Sequence, residues 1–198
     1  MRDTPALFTT PRLAVHELAA GDLPQLQALL EACSDFYVLV GGLPPAPDEA
    51  AEMLAERPPE HLSWTRHWCA GAYEPDGTLA GVLLVIADLG TPGCWHTALF
   101  LLHPSQRGTG AAAELHAALE AWARAQGACW LRLGVVVGNE RAERFWRRCG
   151  YEALRTRPIE AADGSTRTTT VMLKCLGEAA VAEYLERVPR DQPGSTLP

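Results

Sequence analysis

The first part of the chain changes from an alternating to a helical spacing of hydrophobic residues. In RLAVHEL (residues 12–18) apolar and polar side chains alternate, which is typical of a half-buried strand. Directly afterwards the apolar positions follow helical spacing through Leu23, Leu26, Leu29 and Leu30. A strand is therefore predicted to lead into a helix.

A turn-rich break at residues 41–47 separates this helix from the next predicted elements. A short helix is predicted over 48–57, with Asp48 as its N-terminal cap. Two β-rich runs, 63–74 and 79–89, flank the turn sequence PDGT. Because turn residues stand between two such runs, we expect an antiparallel hairpin.

The second half of the chain predicts strands and helices in alternation. They are a strand over 94–103, a helix ending at Gly127, a strand over 129–137, a helix starting near Asn139, and two closing strands near 151–158 and 168–176. The predicted order of the whole chain is βααββ βαβαββ. After it come a short helix and a tail whose prolines, glycine and polar residues favour disorder.

The composition narrows the class of protein. Of the 198 residues, 47% are hydrophobic and 21% are charged, and the formal net charge is −7. No apolar run approaches the roughly 20 residues that span a bilayer, and the N-terminus lacks a basic segment followed by a hydrophobic core. We therefore expect a cytoplasmic protein. The acidic balance argues against binding to nucleic acid or to anionic membranes.

The cysteines give no sign of a metal site or a disulfide framework. The six are scattered without CxxC or metal-finger spacing, so we expect reduced thiols, most of them buried. A zinc cluster could be drawn from His61, His67, Cys69, Cys94 and His96. No pair among these has the close spacing of zinc ligands, so no metal site is predicted.

The stretch HPSQRGTGAA (residues 103–112) joins a predicted strand to a predicted helix. A helix N-terminus offers unpaired amides and a partial positive charge, and Gly108 and Gly110 carry no side chain that would block an anion. Arg107 could add a charge-assisted contact or point to solvent, and no acidic residue lies between 103 and 113. The spacing fits neither a P-loop nor a dinucleotide fingerprint. The turn is thus either an anion cradle or an ordinary connection.

A second motif decides between these readings. GNERAERFWRRCGY (residues 138–151) predicts a helix capped by Asn139 and ended by Gly150. The pair of patterns RxxGxA and, about thirty residues later, NxxAxxFWxxxGY closely resembles the acetyl-CoA signature of the GNAT superfamily of N-acetyltransferases. The resemblance covers residues 11–176, because the element order also matches.

The resemblance implies a fold of the α/β (α+β) class, with a mixed, twisted central sheet of about seven strands and helices on both faces. Residues 1–176 would form this single domain, and residues 177–198 a helical, flexible tail. Acetyl-CoA would be the cosubstrate, and its acetyl group would pass directly to a primary amine of a small molecule or peptide. A homodimer is compatible with the closing strands, since dimers are common in the family.

The resemblance also implies which residues contact the cofactor. The turn amides would bind the pyrophosphate, and the strand before the turn, often bulged and splayed from its neighbour, would pair with the pantetheine arm. One strand amide would polarise the thioester carbonyl. The residues implied are Phe100, Leu101, Leu102, Arg107, Gly108, Thr109, Gly110, Ala111, Ala112, Asn139 and Trp146.

The chain departs from the family at two positions that matter for proton transfer. Many members carry a Glu where this chain has Gly134, and a Tyr where it has Trp146, whose indole is not a useful acid at neutral pH. One alternative is therefore a noncatalytic acyl-CoA sensor or protein-interaction module. Another is a nucleotide phosphate-binding protein outside the family, which the missing P-loop and dinucleotide spacings disfavour.

Other groups are candidates for the missing acid and base. Asp35 and Tyr37 are ionisable and lie in the stretch 33–42, which is predicted to be a loop between the first two helices and which overlies the acceptor pocket in the family. His96 lies on the pantetheine strand and titrates near neutrality. Two of the three have a purely structural reading as well: Asp35 as a turn cap and His96 as a hydrogen-bonded strand residue. The sequence does not name the amine.

Overall fold

The computed structural model describes residues 5–197, which form one sheet with helices packed on it. The strands are β1 (Phe8–Thr9), β2 (Ala14–Glu17), β3 (Arg66–Tyr73), β4 (Leu79–Ala87), β5 (Cys94–Leu102), β6 (Trp130–Val136), β7 (Glu152–Glu160) and β8 (Thr166–Cys175). The helices are α1 (Leu23–Ala32), α2 (Ser34–Gly41), α3 (Glu49–Ala55), α4 (Ala111–Ala125), α5 (Glu140–Arg148) and α6 (Val181–Arg187). Within the described range, no helix is long and apolar enough to cross a lipid bilayer.

The sheet is mixed, as predicted, and has eight strands where about seven were expected. Its order is β1-β2-β3-β4-β5-β6-β8-β7, and every neighbouring pair is antiparallel except β5 and β6. The additional strand is the two-residue edge strand β1, in which Phe8 lies opposite Val15. The hairpin predicted around PDGT is formed by β3 and β4.

Helices cover both faces of the sheet because neighbouring strand residues point to opposite sides. On one face, Trp68 of β3 and Leu83 of β4 belong to a cluster with the apolar side of α4 and Trp146 of α5. On the other face, Cys69 and Leu84 belong to a cluster with α1 and α3. Every residue of β4 is buried, so this strand lies at the centre of the fold.

The stretch 33–42 is helical in the structure, where the sequence analysis placed a loop. Residues Ser34–Gly41 form α2, and Gly42, with φ +83°, ends it in the left-handed conformation that favours glycine. The next helix, α3, begins after Asp48 as predicted, but the Asp48 side chain makes no capping hydrogen bond. Instead the side chain of Gln27 accepts a hydrogen bond from the Ala50 amide at 3.0 Å.

The C-terminal segment packs onto the sheet, although its composition favours disorder. Tyr184 of α6 and Val188 join a cluster with Cys94 and Trp130. Beyond them a short 3-10 turn places Asp191, only 1% exposed, in the interior. The polar composition of this segment is misleading because one of its charged residues has a buried partner, described below.

Candidate active site

Strands β5 and β6 are paired over only part of their length. The parallel pairing joins residues 94–97 to 130–133 and ends there, so the two strands separate beyond Thr97. On its other edge β5 carries a bulge, because Leu84 lies opposite Leu99 while Val85 lies opposite Thr97, which leaves Ala98 as the extra residue. Backbone groups of β5 beyond the bulge that face β6 therefore have no strand partner among residues 5–197.

A cleft of about 960 Å³ occupies this gap. Most of the residues proposed from the sequence line it: Asp35, His96, Phe100, Leu101, Leu102, Arg107, Gly108, Gly110, Ala112, Asn139 and Trp146. Tyr37, Thr109 and Ala111 do not line it. The fold thus brings the segments of both sequence motifs to one cavity.

The glycine turn forms one end of the cleft. Gly108 and Gly110 have φ of +78° and +89°, a region that side chains other than glycine adopt at a cost. The amides of Gly108, Gly110 and Ala112 have no acceptor among the described residues. A Cβ on Gly110 would meet no atom nearer than Nη2 of Arg12, at 3.9 Å. The backbone here is open to an approaching anion, as a cradle requires.

Two predicted cofactor residues in this turn have internal roles. The Thr109 hydroxyl donates to the Gln106 carbonyl at 2.9 Å and accepts from the Ala111 amide at 3.2 Å. Ala111, the first residue of α4, is itself only 1% exposed. These hydrogen bonds within the turn hold its backbone in shape.

Arg12, which the sequence motifs did not point to, also holds this turn. Its guanidinium donates to the Thr109 carbonyl at 3.0 Å and to Glu114 Oε1 at 2.8 Å. It comes from the connection between β1 and β2, far from the turn in sequence. No local pattern marks such a residue, because its role depends on strand pairing at the sheet edge.

Arg107 extends from the turn to helix α2. Its Nη1 and Nη2 donate to the two carboxylate oxygens of Asp35 at 2.6 and 2.7 Å. The hydrogen bonds and the positive charge of Arg107 hold the pKa of Asp35 below its usual value. Asp35 is thus a carboxylate at neutral pH, already engaged with a cation, and a weak base.

Tyr37 lies on a different side of α2 from Asp35. Two residues along a helix correspond to a rotation of about 200°, so the two side chains point away from each other. Tyr37 packs with the cluster of α1 and α3. Burial and the nearby carboxylate of Glu49 raise the pKa of its hydroxyl. The structure does not bring Tyr37 to the cleft that its predicted role requires.

His96 lies where β5 and β6 begin to separate. Its Nδ1 is 3.2 Å from the Arg132 carbonyl and 3.3 Å from Nη1 of Arg132, and the tautomer decides which hydrogen bond forms. Burial and the positive charge of Arg132 lower the pKa of His96 to about 3. The imidazole is therefore neutral at pH 7 and has little affinity for a proton.

Helix α5 forms a wall of the cleft. Asn139 caps it by accepting a hydrogen bond from the Ala142 amide at 3.1 Å, as predicted. The ring of Trp146 lies edge-on to Phe100 of β5, with 5.3 Å between centroids, and also contacts His116 and Tyr151. Trp146 therefore anchors an aromatic cluster that joins α5 to the open edge of β5.

Gly134 faces the cleft from β6, and the Thr169 side chain lies close to it. A Cβ at this position would lie 2.8 Å from Cγ2 of Thr169 on β8, closer than real Cβ contacts. Thr169 is buried, and its hydroxyl has no hydrogen-bond partner among residues 5–197. The chain thus lacks a carboxylate here, and any side chain at this position would require the Thr169 side chain to shift.

The family comparison agrees with this geometry. The sequence model described as "Acetyltransferase (GNAT) family" matches residues 26–151. No match was found among curated protein sequences.

Several solved structures share the fold. An acetyltransferase from Thermus thermophilus has a TM-score of 0.65 at 17% identity, covering 84% of this chain and 99% of that chain. The spermidine N-acetyltransferase from Vibrio cholerae, in complex with CoA and spermine, has 0.63 at 17% identity, covering 83% and 95%. The ribosomal-protein-S18-alanine N-acetyltransferase from Escherichia coli has 0.56 at 17% identity, covering 85% and 97%. At these identities the similarity is one of fold.

Proposed function

Because the chain belongs to the acetyltransferase (GNAT) family, we propose that it transfers an acetyl group from acetyl-CoA to a primary amine of a small molecule or peptide. One observation carries the proposal. The gap beside β5 runs from an open strand edge to a turn with unpaired amides, so a single cleft offers a site for a thioester arm and a site for its phosphates.

The residues present fit this cosubstrate. Backbone amides of Gly108, Gly110 and Ala112 would hold the pyrophosphate at the N-terminus of α4. The unpaired edge at Phe100, Leu101 and Leu102 would hydrogen-bond the pantetheine amides. Acetyl-CoA would supply the activated acetyl group, and the chain would gain rate by holding the amine against it in one orientation.

The proton of the amine needs a route that does not rely on the three groups proposed from the sequence. An alkylammonium has a pKa of about 10. Asp35 is paired with Arg107, Tyr37 lies outside the cleft lining and His96 has a pKa of about 3, so none is matched to that proton. We propose that water in the cleft accepts it. The rate at subsaturating amine should then rise with pH towards the pKa of the amine, with no inflection between pH 5 and 7.

A noncatalytic acyl-CoA-binding role is the second candidate. Gly134 and Trp146 favour it, because the first provides no carboxylate and the second no useful acid. A larger residue at 134 would also come close to Thr169.

Spermine, present in the Vibrio cholerae structure, is a polycation. It is a poor acceptor model for this chain, because Arg157 lines the cleft with no carboxylate of residues 5–197 bound to it.

The test combines binding and turnover. Calorimetric titration with acetyl-CoA measures the cofactor site, and CoA release with a panel of primary amines, followed by mass spectrometry of the product, measures transfer. Binding with an N-acetylated product supports the enzyme. Binding without product from any amine supports the sensor, and no binding to the folded protein contradicts both.

A further inference from the structure

A second pocket adjoins the cleft at the point where β5 and β6 separate. It has a volume of about 380 Å³ and shares His96, Ala98, Arg132 and Arg157 with the cleft. Its other lining includes the segment after α3 and Leu84 of β4, which faces α1 and α3. A molecule in this pocket would therefore reach the bulge of β5 without passing the glycine turn.

The charged groups around this pocket are mostly arginines. Among residues 5–197, the charged side chains that line it are Arg57, Arg132, Arg157 and Arg190 and one carboxylate, that of Glu56. Its histidines add no negative charge, and burial lowers the pKa of His67. The acidic net charge of the whole chain, −7, is thus locally reversed.

Two of these arginines already have partners. Arg132 is 2% exposed and donates from Nε and Nη2 to the two oxygens of Asp191 at 2.6 and 3.0 Å. The Tyr184 hydroxyl also donates to Asp191. Arg57 donates to backbone carbonyls at the end of α3. Both oxygens of the buried Asp191 carboxylate thus accept hydrogen bonds from Arg132, and one of them also accepts from Tyr184.

Arg157 and Arg190 are left without such partners. Their side chains make no hydrogen bond or ion pair with any residue in 5–197, and the Nε atom of each is buried. Burial and the neighbouring arginines lower the pKa of both guanidinium groups, and the nearby carboxylate of Asp191 offsets only part of this. Two half-buried cations that repel each other are unfavourable unless an anion joins them.

The part of the second pocket at His96 lies at the opposite end of β5 from the glycine turn. His96, which lines the second pocket, and Leu102, which precedes the turn, are six residues apart on β5, which corresponds to roughly 20 Å. The pocket is next to the start of the gap, where the acetyl group would be presented. An anion bound there would belong to the acceptor.

We propose that the acceptor amine carries an anionic group, a carboxylate or a phosphate, which Arg157 and Arg190 bind in the second pocket. The inference rests on the proposed function and specifies its substrate class. Guanidinium groups hydrogen-bond both oxygens of such an anion and hold it in a fixed orientation. The amine of the same molecule then extends towards the bulge at Ala98.

Matched pairs of amines test the substrate class. L-Leucine is compared with L-leucinamide, and O-phosphoethanolamine with ethanolamine, because each pair differs in the anion. We expect the anionic member of at least one pair to have a kcat/KM about tenfold or more above its partner, and Arg157→Gln and Arg190→Gln to remove that preference. Which pair responds identifies the anion. Arg124→Gln, which removes an exposed cation of α4, is the control and should change nothing.

Equal use of both members of each pair, or variants that slow both members alike, overturns the proposal. A separate binding arm keeps it testable if no amine is acetylated. Inorganic phosphate and, separately, acetate are titrated into Gly110→Glu, in which the glycine turn is blocked, and into the same protein with Arg157→Gln and Arg190→Gln. Binding of either anion that is lost on removal of the arginines supports the anion site even if transfer fails. Binding of neither anion to the Gly110→Glu protein, or binding that survives removal of the arginines, refutes the site whatever the enzyme does.

Discussion

The guanidinium of Arg107 binds both carboxylate oxygens of Asp35, at 2.6 and 2.7 Å, and so joins the glycine turn to helix α2. The first residue was proposed for the cofactor and the second for the acceptor. In the structure the two side chains instead form an ion pair with each other. A pyrophosphate at the turn would compete with Asp35 for the same guanidinium.

Asp35→Asn is expected to strengthen acetyl-CoA binding slightly. The pair is partly exposed, and such pairs contribute about 0.2–1 kcal/mol, so freeing Arg107 should lower the Kd by no more than about fivefold. Arg107→Gln should raise the Kd. Calorimetric titration of both variants checks this. Weaker binding by Asp35→Asn would show that Asp35 supports the site instead of competing with it.

Gly110→Glu is expected to abolish acetyl-CoA binding, because its side chain would bring a negative charge to the unpaired amides. The backbone strain of the substitution needs its own control. Gly77, in the β3–β4 hairpin, has φ +88° against +89° for Gly110, and an added Cβ there would meet nothing within 4 Å, against one atom at 3.9 Å for Gly110. Gly77→Glu should therefore lose similar stability and keep its affinity. Equal loss of binding in both would mean that the turn acts through stability alone.

The sequence predicted the sheet better than the surroundings of the cleft. Alternating and continuous apolar runs determine which strands are buried, and that signal is local, so the hairpin of β3 and β4 was predictable. Helix α2 was not, since a short helix that ends in two glycines has the composition of a loop. The buried position of Asp191 was not predictable either, because it depends on Arg132, 59 residues away.

Within the site, too, features that depend on neighbouring residues were predictable, and features that depend on residues distant in sequence were not. The glycine turn and Asn139 were predictable because each acts through its own backbone or helix end. Tyr37 was misplaced because its direction follows from a helix that the pattern did not show. Arg12, Arg157 and Arg190 carry no motif, and only the packing of separate segments makes them neighbours of the cleft or the turn.

Gly134→Ala is expected to destabilise the protein by about 1–3 kcal/mol, because its Cβ would lie 2.8 Å from Cγ2 of Thr169. Thr169→Ser removes that methyl group and keeps the hydroxyl. The double variant should therefore lose less stability than the sum of the two single variants. Urea denaturation of all four proteins gives the interaction energy. Strict additivity would show that Thr169 does not limit residue 134.

Asp191→Asn should destabilise the protein by about 3 kcal/mol or more, because it leaves Arg132 buried without its carboxylate. Replacing both partners by apolar residues, Arg132→Met with Asp191→Leu, should restore most of the loss. The free energy of unfolding in urea measures both. An unchanged value for Asp191→Asn would mean that the C-terminal segment is not held by this pair in solution.

The buried histidine His116 should make the protein sensitive to mild acid. Burial and the nearby charge of Lys174 lower its pKa to about 4, whereas an unfolded histidine has a pKa of about 6.5. Above pH 6.5 the residue is neutral in both states and its contribution to stability is complete. As the pH falls towards 4, the unfolded chain takes up a proton that the folded protein does not. The free energy of unfolding should therefore fall by up to about 1.4 kcal/mol per pH unit.

His116→Gln isolates this contribution, because the amide can still reach the Tyr151 hydroxyl, 3.2 Å from His116 Nε2. Other groups that titrate in acid, including Asp191, are common to both proteins and cancel in the comparison. Urea unfolding at pH values from 4 to 7.5 should give a shallower loss of stability for the variant below pH 6.5 and parallel curves above it. Curves that stay parallel throughout would show that His116 takes up a proton as readily in the folded protein as in the unfolded chain, which would contradict a lowered pKa.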